Sequence, residues 1–469
     1  MLVPADERPG TMGSHDQPAM TPIVDELRAG LCELLPHRGD SRCCVAFSGG
    51  LDSTVVLDAF AAARRDFPGL ELRALHVNHQ LQPMAPQWVL AAQSFCGRLA
   101  IPCEVVSVDV DRRSSLGLEA AAREARHATF RRHLRDGEVL VTAHHADDQF
   151  ETVLLALLRG AGPRGLAAMP ALAPFGRGWH WRPLLAVTRA DIATYARARG
   201  LAWHDDPTNL ELRHDRNYLR HEVVPQLQAR WPQSAKTATR TARHIGEALE
   251  LLDAIALDDL KRAAVEECLD VGVLASLPDA RRRQLLRFWL LGLGARPPTE
   301  RRLDAMLNDL LEAAADRCPQ IDLEDGLVLR RHRALVYPVR DGGAVPALAL
   351  RTRLRAGAAV ELPDGSGRLA LAAVAATEGR GRAPVEVEVR SRCDGERVTV
   401  PARSHSRSVK ELMRALGVLP WMRDRVPLVF HGGELIALGD VPLPGLPAAQ
   451  ASVADALHFA AAQRWRALR

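Results

Sequence analysis

The first half of the chain alternates short apolar runs with segments of helical periodicity, and this alternation restricts the fold more than any other feature of the sequence. The apolar runs, which are typical of buried strands, are residues 43–47, 72–77, 103–108 and 138–143. Helical spacing follows the first three runs, at about residues 55–63, 86–99 and 118–134. We therefore predict an α/β fold in which a mostly parallel sheet is covered by helices.

Polar clusters follow three of these strands, at the point where each strand ends. The clusters are residues 48–53, 76–79 and 144–148. In open sheets of this kind, ligands bind beyond the carboxyl ends of the strands. The sequence thus predicts one binding site built from several loops.

The first polar cluster has the composition of a phosphate-binding loop, and it consists of Ser48, Gly49, Gly50, Leu51, Asp52 and Ser53. Glycines let the backbone approach phosphates closely, and the N-terminus of the following helix favours negative charge. Asp52 would repel phosphate unless a cation lay between them, so we predict Mg²⁺ at this residue. The alternative is a tight turn in which serine caps the helix.

Composition excludes several classes of protein. The only lysines are Lys236, Lys261 and Lys410, and none follows a glycine, so a phosphate loop ending in Gly-Lys is excluded. The eight cysteines form no C-x-x-C pair and no zinc spacing, so we expect a reducing, cytoplasmic environment. No apolar stretch approaches the length of a membrane span. The net charge of +4 permits a nucleic-acid partner without requiring one.

The sequence beyond the alternating region changes character twice. Helical spacing dominates from about residue 233, and the composition shifts to Ala, Gly, Pro and Arg from residue 344. The predicted organisation is a disordered leader at 1–20, a nucleotide-binding catalytic domain at 21–232, a helical domain at 233–343, a linker at 344–384 and a small α/β domain at 385–469.

Each remaining polar segment has a simple structural explanation when taken alone. His76 and His79 could close a strand, and Arg123 could lie on a solvated helix face. His144 and the pair Asp147 and Asp148 could instead form the metal site of a hydrolase, since their spacing suits one.

Together these segments resemble a known family. The first cluster resembles the PP-loop of the ATP pyrophosphatase group, which cleaves ATP between the α- and β-phosphates. The combination of that loop with residues 76–79, 119–124 and 142–152 closely resembles tRNA(Ile)-lysidine synthetase, and the similar segments continue at 160–166, 182–185, 205–209, 216–220, 281–283 and 408–421. The sequence departs from the family at Gln80, Leu81 and Gln82, at Phe150 and at Ala168.

The resemblance implies a reaction and its substrates. It implies that the wobble cytidine of an isoleucine tRNA with a CAU anticodon is joined to AMP at its C2 oxygen, using ATP and Mg²⁺. Free lysine would then displace AMP through its ε-amine, which must first lose a proton because its ordinary pKa is about 10.4. The sequence leaves open whether the protein forms a homodimer.

The resemblance and the electrostatics imply roles for individual residues. Nucleotide binding is assigned to Ser48, Gly49, Gly50, Leu51, Asp52, Ser53, His76 and Arg123. Catalysis is assigned to Asp52, Arg123, His144, Asp147 and Asp148, with Mg²⁺ held by Asp52 and one of the last two, for which we chose Asp148. The other carboxylate would anchor or deprotonate lysine.

Contacts with tRNA are expected from arginines outside the catalytic cluster. They are Arg164, Arg216, Arg220, Arg240 and Arg243. In the stretch 223–246 the charged residues are Arg230, Lys236, Arg240 and Arg243, with no acid, and the run 403–410 has no acid either, so either could bind phosphates. A solvated helix face is the alternative for each.

Two rival classes stay open at this point. One is another PP-loop enzyme, such as a tRNA thiolase or an amide-forming synthetase. Clustered cysteines, which iron–sulfur thiolation needs, are missing, and so is a glutaminase nucleophile motif. The other class is an RNA-binding adaptor that holds ATP without chemistry, although such a protein has little use for carboxylates that face phosphate.

Overall fold

The computed structural model forms two compact units, Met1–Leu251 and Leu252–Arg469. The residues that it describes are 22–34, 42–80, 82–110, 117–204, 211–313, 317–340, 350–363, 365, 367–374, 385–399, 406–461 and 464–467. The predicted leader, the family-like segment 205–209 and parts of the predicted linker and of the run 403–410 lie outside the described residues. The predicted domain boundaries therefore stay predictions.

The first unit contains the predicted mostly parallel sheet, which confirms the α/β fold class. Its strands are β1 Arg42–Ala46, β2 Glu71–Asn78, β3 Cys103–Ser107, β4 Val139–Val141, β5 Leu172–Phe175 and β6 Gly178–Trp181. Their order is β3-β2-β1-β4-β6-β5, and only the β5–β6 pair is antiparallel. Side chains of β1 alternate between the faces, so Cys43 and Val45 join one apolar core and Cys44 the other.

Helices cover both faces of this sheet. The helices of the first unit are α1 Pro22–Leu34, α2 Leu51–Ala63, α3 Ala85–Arg98, α4 Leu118–His133, α5 Ala146–Leu158, α6 Pro163–Leu166, α7 Arg189–Ala198, α8 Asp215–Tyr218 and α9 Val224–Arg230, and the long α10 Ser234–Ala263 continues from the first unit into the second. The core that contains Val45 is completed by α1, α2 and α7, and the core that contains Cys44 by Phe130 and Leu134 near the end of α4.

The strand order creates a crevice at one edge of the sheet. The chain passes outward from β1 through β2 to β3 and then returns to add β4 on the other side of β1. The connections that leave β1 and β4 therefore diverge at their carboxyl ends. Such a switch point is where open α/β sheets bind ligands.

A π-helical turn, Leu219–Val223, joins α8 to α9. Pro225 lies in the first turn of α9 and has no N–H to bond the carbonyl of His221, so the regular hydrogen-bond ladder is interrupted here. The interruption lies next to Arg220, whose side chain enters the site described below.

The second unit combines helices with several small antiparallel sheets. Its helices are α11 Val271–Ser276, α12 Asp279–Gly292, α13 Glu300–Glu312, α14 Val409–Ala415 and α15 Ala448–Asp455. The first sheet contains β7 Ala264–Val265, β8 Cys268–Asp270, β9 Gln320–Asp322, β10 Leu327–His332 and β11 Leu335–Arg340. The region predicted to be helical thus also contains a sheet, because strands this short show too few alternations to be recognised.

The remaining strands of this unit belong to its C-terminal part. They are β12 Arg351–Arg355, β13 Ala359–Glu361, β14 Gly367–Leu371, β15 Glu386–Arg390, β16 Arg397–Thr399, β17 Ser406–Ser408, β18 Leu428–His431, β19 Glu434–Leu438, β20 Val441–Pro442 and β21 Leu457–Ala461. Strands β12 to β14 lie within the predicted linker, and their Leu354, Leu369 and Leu371 are buried in the same core as the C-terminal strands. Among the described residues, no helix is long and apolar enough to cross a membrane.

Candidate functional site

Two polar loops come together at the switch point of the first sheet. One loop connects β1 to α2, and the other connects β4 to α5. Asp52, in the first turn of α2, lies with its Oδ2 3.8 Å from Nε2 of His145, the residue that precedes α5. Both helices therefore present their N-termini at the same edge, where their N–H groups favour anionic ligands.

The Ser53 hydroxyl folds the first loop into a tight turn. Its Oγ accepts hydrogen bonds from the N–H groups of Ser48 and Gly49, each at 3.2 Å, and donates to the Gly50 carbonyl at 3.1 Å. Gly50 precedes α2 and contributes no side chain to cap it. The first N–H groups of α2 are therefore available to a phosphate.

Gly49 needs to be glycine for two reasons. Its φ of +82° lies in the left-handed region, and a Cβ atom built there would come within 2.3 Å of the His204 ring. His204 also donates its backbone N–H to the Gly49 carbonyl at 3.2 Å and stacks on Trp88, with ring centroids 4.7 Å apart. The sequence did not indicate that His204 lies against this loop.

Asp52 has the properties expected of a carboxylate that binds a cation. Its Oδ1 is buried and has no hydrogen-bond partner among the described residues, and burial raises the pKa of this carboxyl group. A buried, unsatisfied oxygen beside a phosphate-binding loop fits a hard divalent cation such as Mg²⁺. Asp52 therefore fits the predicted cation.

His145, which the sequence analysis did not select, lies between three carboxylates. Its side chain is 2% exposed, with ring nitrogens 3.8 Å from Asp52, 3.7 Å from Asp147 and 3.4 Å from Asp148. It also caps α5. Nδ1 of its ring accepts from the backbone N–H of Asp148 at 3.4 Å, and its backbone N–H donates to the Asp148 carboxylate at 3.2 Å. His145 thus joins the two loops.

Asp147 and Asp148 point to different surroundings. Asp147 accepts from two neutral donors, the N–H of Arg189 at 2.8 Å and the amide of Gln228 at 2.9 Å. Asp148 accepts from the guanidinium groups of Arg216 at 3.2 Å and Arg220 at 2.9 Å. Burial opposes ionisation of Asp148, but neighbouring His145 and Arg216 lower its pKa to about 2.

Glu151 completes this ion-pair cluster and was also missed by the sequence analysis. It is buried one turn after Asp148, and it accepts from Nε of Arg216 and Nε of Arg220, each at 2.6 Å. Arg216 and Arg220 were predicted to contact RNA. The structure places both on carboxylates of the site, and the acid pair three residues apart facing a basic pair four residues apart is the signal that could have revealed this.

His144 lies on the other side of the second loop and belongs to a chain of hydrogen bonds. Its Nδ1 lies 2.8 Å from Thr142 Oγ1, which lies 2.8 Å from Nε2 of His180. Nδ1 of His180 in turn lies 3.0 Å from a nitrogen of the Arg182 guanidinium. Burial, together with the positive charge of Arg182, lowers the pKa of both His144 and His180 to about 3.

The second polar cluster supports the first loop from β2. Nδ1 of His76 donates to the carbonyl of Phe47, just before the loop, at 2.9 Å, and burial lowers the pKa of His76. His79 has a buried Nδ1 without a hydrogen-bond partner among the described residues. Burial and the charge of Arg126 lower the pKa of His79 to about 4.

Arg123 is exposed on α4 and adds to a concentration of positive charge. With Arg126 and Arg182 it contributes, after burial, to lowering the pKa of His127 to about 4. Burial and the charge of Arg123 also lower the pKa of Arg182 to about 10. This side of the site is therefore strongly electropositive and suits a phosphate.

The other arginines predicted to contact RNA lie outside this cluster. Arg164, on α6, and Arg240, on α10, are exposed. Arg243 is also on α10 and pairs with Glu247 at 2.5 Å.

Among the described residues, no group of three or more His, Cys, Asp or Glu side chains is arranged to hold a metal ion by itself.

Comparisons with protein families match three parts of the chain. Residues 24–227 match the PP-loop domain, residues 269–337 match the TilS substrate binding domain, and residues 387–455 match the TilS substrate C-terminal domain. The first match covers both loops of the site.

Curated relatives match over most of the chain. It is 43% identical to the tRNA(Ile)-lysidine synthase of Alkalilimnicola ehrlichii over 85% of this chain and 89% of that protein. It is 39% identical to the enzyme of the same name from Xanthomonas axonopodis pv. citri over 88% of this chain and 92% of that protein. Identity to the Coxiella burnetii tRNA(Ile)-lysidine synthase is also 39%, over 85% of this chain and 88% of that protein.

Proposed function

The chain belongs to the tRNA(Ile)-lysidine synthase family, ligases that form a C–N bond in an ATP-dependent tRNA modification, and from this premise we propose its substrates and the roles of its residues. The substrates are a tRNA(Ile) with a CAU anticodon, free lysine and ATP. The observation that supports this most directly is the 3.8 Å approach of Asp52 to His145, which brings the phosphate loop to the His-Asp cluster.

The proposed reaction proceeds in two steps. The C2 oxygen of the wobble cytidine attacks the α-phosphate of ATP, forming an O–P bond and releasing pyrophosphate. The ε-amine of lysine then attacks C2, so that a C–N bond forms and the C2–O bond breaks with its electron pair leaving on AMP. The first step makes the second possible, because AMP is a far better leaving group than a cytosine oxygen.

The phosphates of ATP bind at the first loop. Ser48, Gly49, Gly50, Leu51 and Ser53 form this loop, and the donors available to phosphate are the first N–H groups of α2, since those of Ser48 and Gly49 bond the Ser53 hydroxyl. His76 supports the loop by donating to the Phe47 carbonyl. Asp52, whose Oδ1 has no partner among the described residues, would hold Mg²⁺ together with Asp148, whose Oδ1 also accepts from Arg216 and Arg220, and the ion would supply positive charge at the phosphates. Arg123 stabilises the charge that develops on the phosphate during adenylation.

Lysine is anchored through its ammonium group by Asp147. The charges of Asp148 and Glu151 are balanced by Arg216 and Arg220, whereas Asp147 receives hydrogen bonds from neutral donors. Among these three carboxylates, Asp147 alone accepts no hydrogen bond from a guanidinium group in the described residues, so we assign it to the ammonium group of lysine and to the removal of its proton.

Contacts with tRNA are proposed for the exposed arginines Arg164, Arg240 and Arg243. Arg216 and Arg220 are instead assigned to the carboxylates of the site, because their guanidinium groups are engaged there. Arg243 pairs with Glu247 at the surface, where solvent and phosphate can compete for its guanidinium, whereas Arg216 and Arg220 are held by the buried Glu151.

The proposed substrates are tested by incubating the enzyme with ATP, labelled lysine and either CAU-anticodon tRNA(Ile) or the same tRNA with uridine at the wobble position. We expect lysine incorporation into the first tRNA alone, with one AMP and one pyrophosphate released for each lysine. Sulfur transfer, amide formation or nucleotide binding without turnover would each contradict the proposal.

A further inference from the structure

The hydrogen bonds around His144 form an unbranched chain of four side chains, Arg182, His180, Thr142 and His144. The three contacts measure 3.0, 2.8 and 2.8 Å, all within ordinary hydrogen-bond range. His180 and Thr142 are buried, so water does not replace these partners. The chain runs from a permanent cation to the edge of the proposed active site.

The direction of every hydrogen bond in the chain follows from its first member. A guanidinium group can only donate, so Nδ1 of His180 accepts and carries no proton. A neutral imidazole keeps one ring proton, so Nε2 of His180 carries it and donates to Thr142 Oγ1. Thr142 Oγ1 has no third partner among the described residues, so the Thr142 hydroxyl satisfies its hydrogen by donating to Nδ1 of His144. Nδ1 of His144 accepts, and its ring proton lies on Nε2.

The reverse direction is excluded at His180 and unfavourable at His144. If Thr142 donated to His180, both nitrogens of that ring would be acceptors and the ring would carry no proton at all. If Nδ1 of His144 carried a proton instead, the two lone pairs of Thr142 Oγ1 could accept from both rings, but the buried Thr142 hydroxyl hydrogen would then lack an acceptor among the described residues. The lowered pKa values of His144 and His180, caused by burial and by Arg182, agree with two neutral rings at pH 7.

The fold explains why the chain is rigid. His180 lies on β6, beside Leu140 of the neighbouring β4, and Thr142 follows β4 with its N–H bonded to the carbonyl of Trp181 at 3.1 Å. The second terminal nitrogen of Arg182 donates to the Pro170 carbonyl at 2.8 Å, which holds the guanidinium in place. The four side chains are therefore positioned by adjacent strand ends.

We propose that Arg182, His180 and Thr142 are positioning residues that fix His144 as a neutral hydrogen-bond donor, whose Nε2–H contacts the oxygen on C2 of the cytidine adduct. This rests on the proposed function and deepens it. Among the described residues, no hydrogen bond is formed by Nε2 of His144, and His144 is half-buried in the loop that joins β4 to α5, directly before His145. A donor at this oxygen stabilises the charge that develops as AMP leaves, whereas a base at this place would not.

The tautomer is tested on the wild-type protein without substrates. Long-range ¹H–¹⁵N NMR of histidine-labelled enzyme, with His144→Gln used to assign the resonance, should show a neutral Nε2–H ring for His144 from pH 8 to pH 5. A ring protonated on Nδ1, or one that becomes an imidazolium in this range, would overturn the proposal.

Kinetics test the consequence of the tautomer. Thr142→Val keeps the shape of the side chain but removes both hydrogen bonds, and we expect kcat for lysidine formation to fall at least about tenfold with little change in KM for ATP. Thr142→Ser, which keeps the hydroxyl, should recover most of the lost kcat. Equal kcat for Thr142→Val and wild type would overturn the donor chain, whereas a wild-type enzyme that forms no lysidine would instead overturn the proposed function.

Discussion

The two edges of the first sheet both bury charged groups, but they satisfy them differently. At the amino edge, Arg73 donates to Glu138 through two bonds of 2.7 Å and to Glu104 at 2.8 Å, and Glu138 also accepts from a backbone N–H at 2.9 Å. At the carboxyl edge, Asp52 leaves one buried oxygen without a partner among the described residues. A closed network serves the fold, and an open one is suited to a ligand.

The largest effect that we expect concerns stability at the amino edge. Arg73→Met leaves the buried Glu138 without its guanidinium partner, which should lower the free energy of unfolding by about 3–5 kcal/mol. Lysidine formation per folded molecule should stay within about twofold of wild type, because the reacting groups lie at the opposite edge. Urea denaturation and the activity assay measure the two effects. A loss of kcat without a loss of stability would reverse our assignment of this edge.

The next prediction concerns the carboxyl edge, where we expect a loss of activity without a loss of stability. Asp52→Asn should lower the rate of AMP formation at least about 100-fold, because the carboxylate that faces the phosphates is lost. Burial raises the pKa of Asp52, which means that its charge costs folding energy, so the variant should unfold at the same denaturant concentration as wild type or a higher one. Glu71→Gln, an exposed change at the amino edge, is the matched control. Full activity of Asp52→Asn would remove this residue from the site.

A smaller effect concerns the pH dependence of stability. Burial opposes ionisation of Glu138, but Arg73 outweighs it and holds the pKa of this carboxyl below its ordinary 4.5. A carboxyl group whose pKa is lower in the folded than in the unfolded protein stabilises the fold at pH values above its unfolded-state pKa. This stabilisation is lost as the pH falls from there through the folded-state pKa. Wild type should therefore lose stability below pH 4.5 more steeply than Glu138→Gln. Parallel curves for the two proteins would show that the pair does not act in this way.

The smallest effect separates engaged arginines from exposed ones. Arg240→Gln should weaken tRNA binding a few-fold and reduce the slope of log affinity against log salt concentration by about 1. Arg216→Gln should lower kcat but leave that slope unchanged, since its guanidinium pairs with Asp148 and Glu151. Filter binding at several salt concentrations measures both. An unchanged slope for Arg240→Gln would place the tRNA elsewhere.

Much of the first unit could be predicted because short apolar runs alternate there with segments of helical spacing, so that even the three-residue β4 lies within a predicted strand. β2, predicted at residues 72–77, spans Glu71–Asn78, and α3, predicted at 86–99, spans Ala85–Arg98. The positions of the polar clusters at strand ends then followed from parallel-sheet geometry. Residues 344–384 also show short β-like segments, but their Ala, Gly, Pro and Arg composition favoured a linker, and the sequence did not reveal that Leu354, Leu369 and Leu371 join the C-terminal core.

Side-chain partners were harder to predict than positions. Neighbouring residues in an extended segment point in opposite directions, so sequence alone could not decide whether His144 or His145 faces Asp52. The partners of Arg216 and Arg220 lie 65 or more residues earlier in the chain, and a charge that is paired in the fold looks the same in a sequence as one that is free to bind RNA. The chain from Arg182 to His144 likewise depends on β6 lying beside β4.

The most direct test of the whole account follows the α-phosphate of ATP. The enzyme is incubated with ATP labelled at that phosphate and CAU-anticodon tRNA(Ile), without lysine, and the tRNA is then separated from nucleotides. We expect the label to appear on the tRNA and to be released as AMP when lysine is added. Release of labelled ADP, or a tRNA that never carries the label while lysidine still forms, would contradict adenylation at the crevice between β1 and β4.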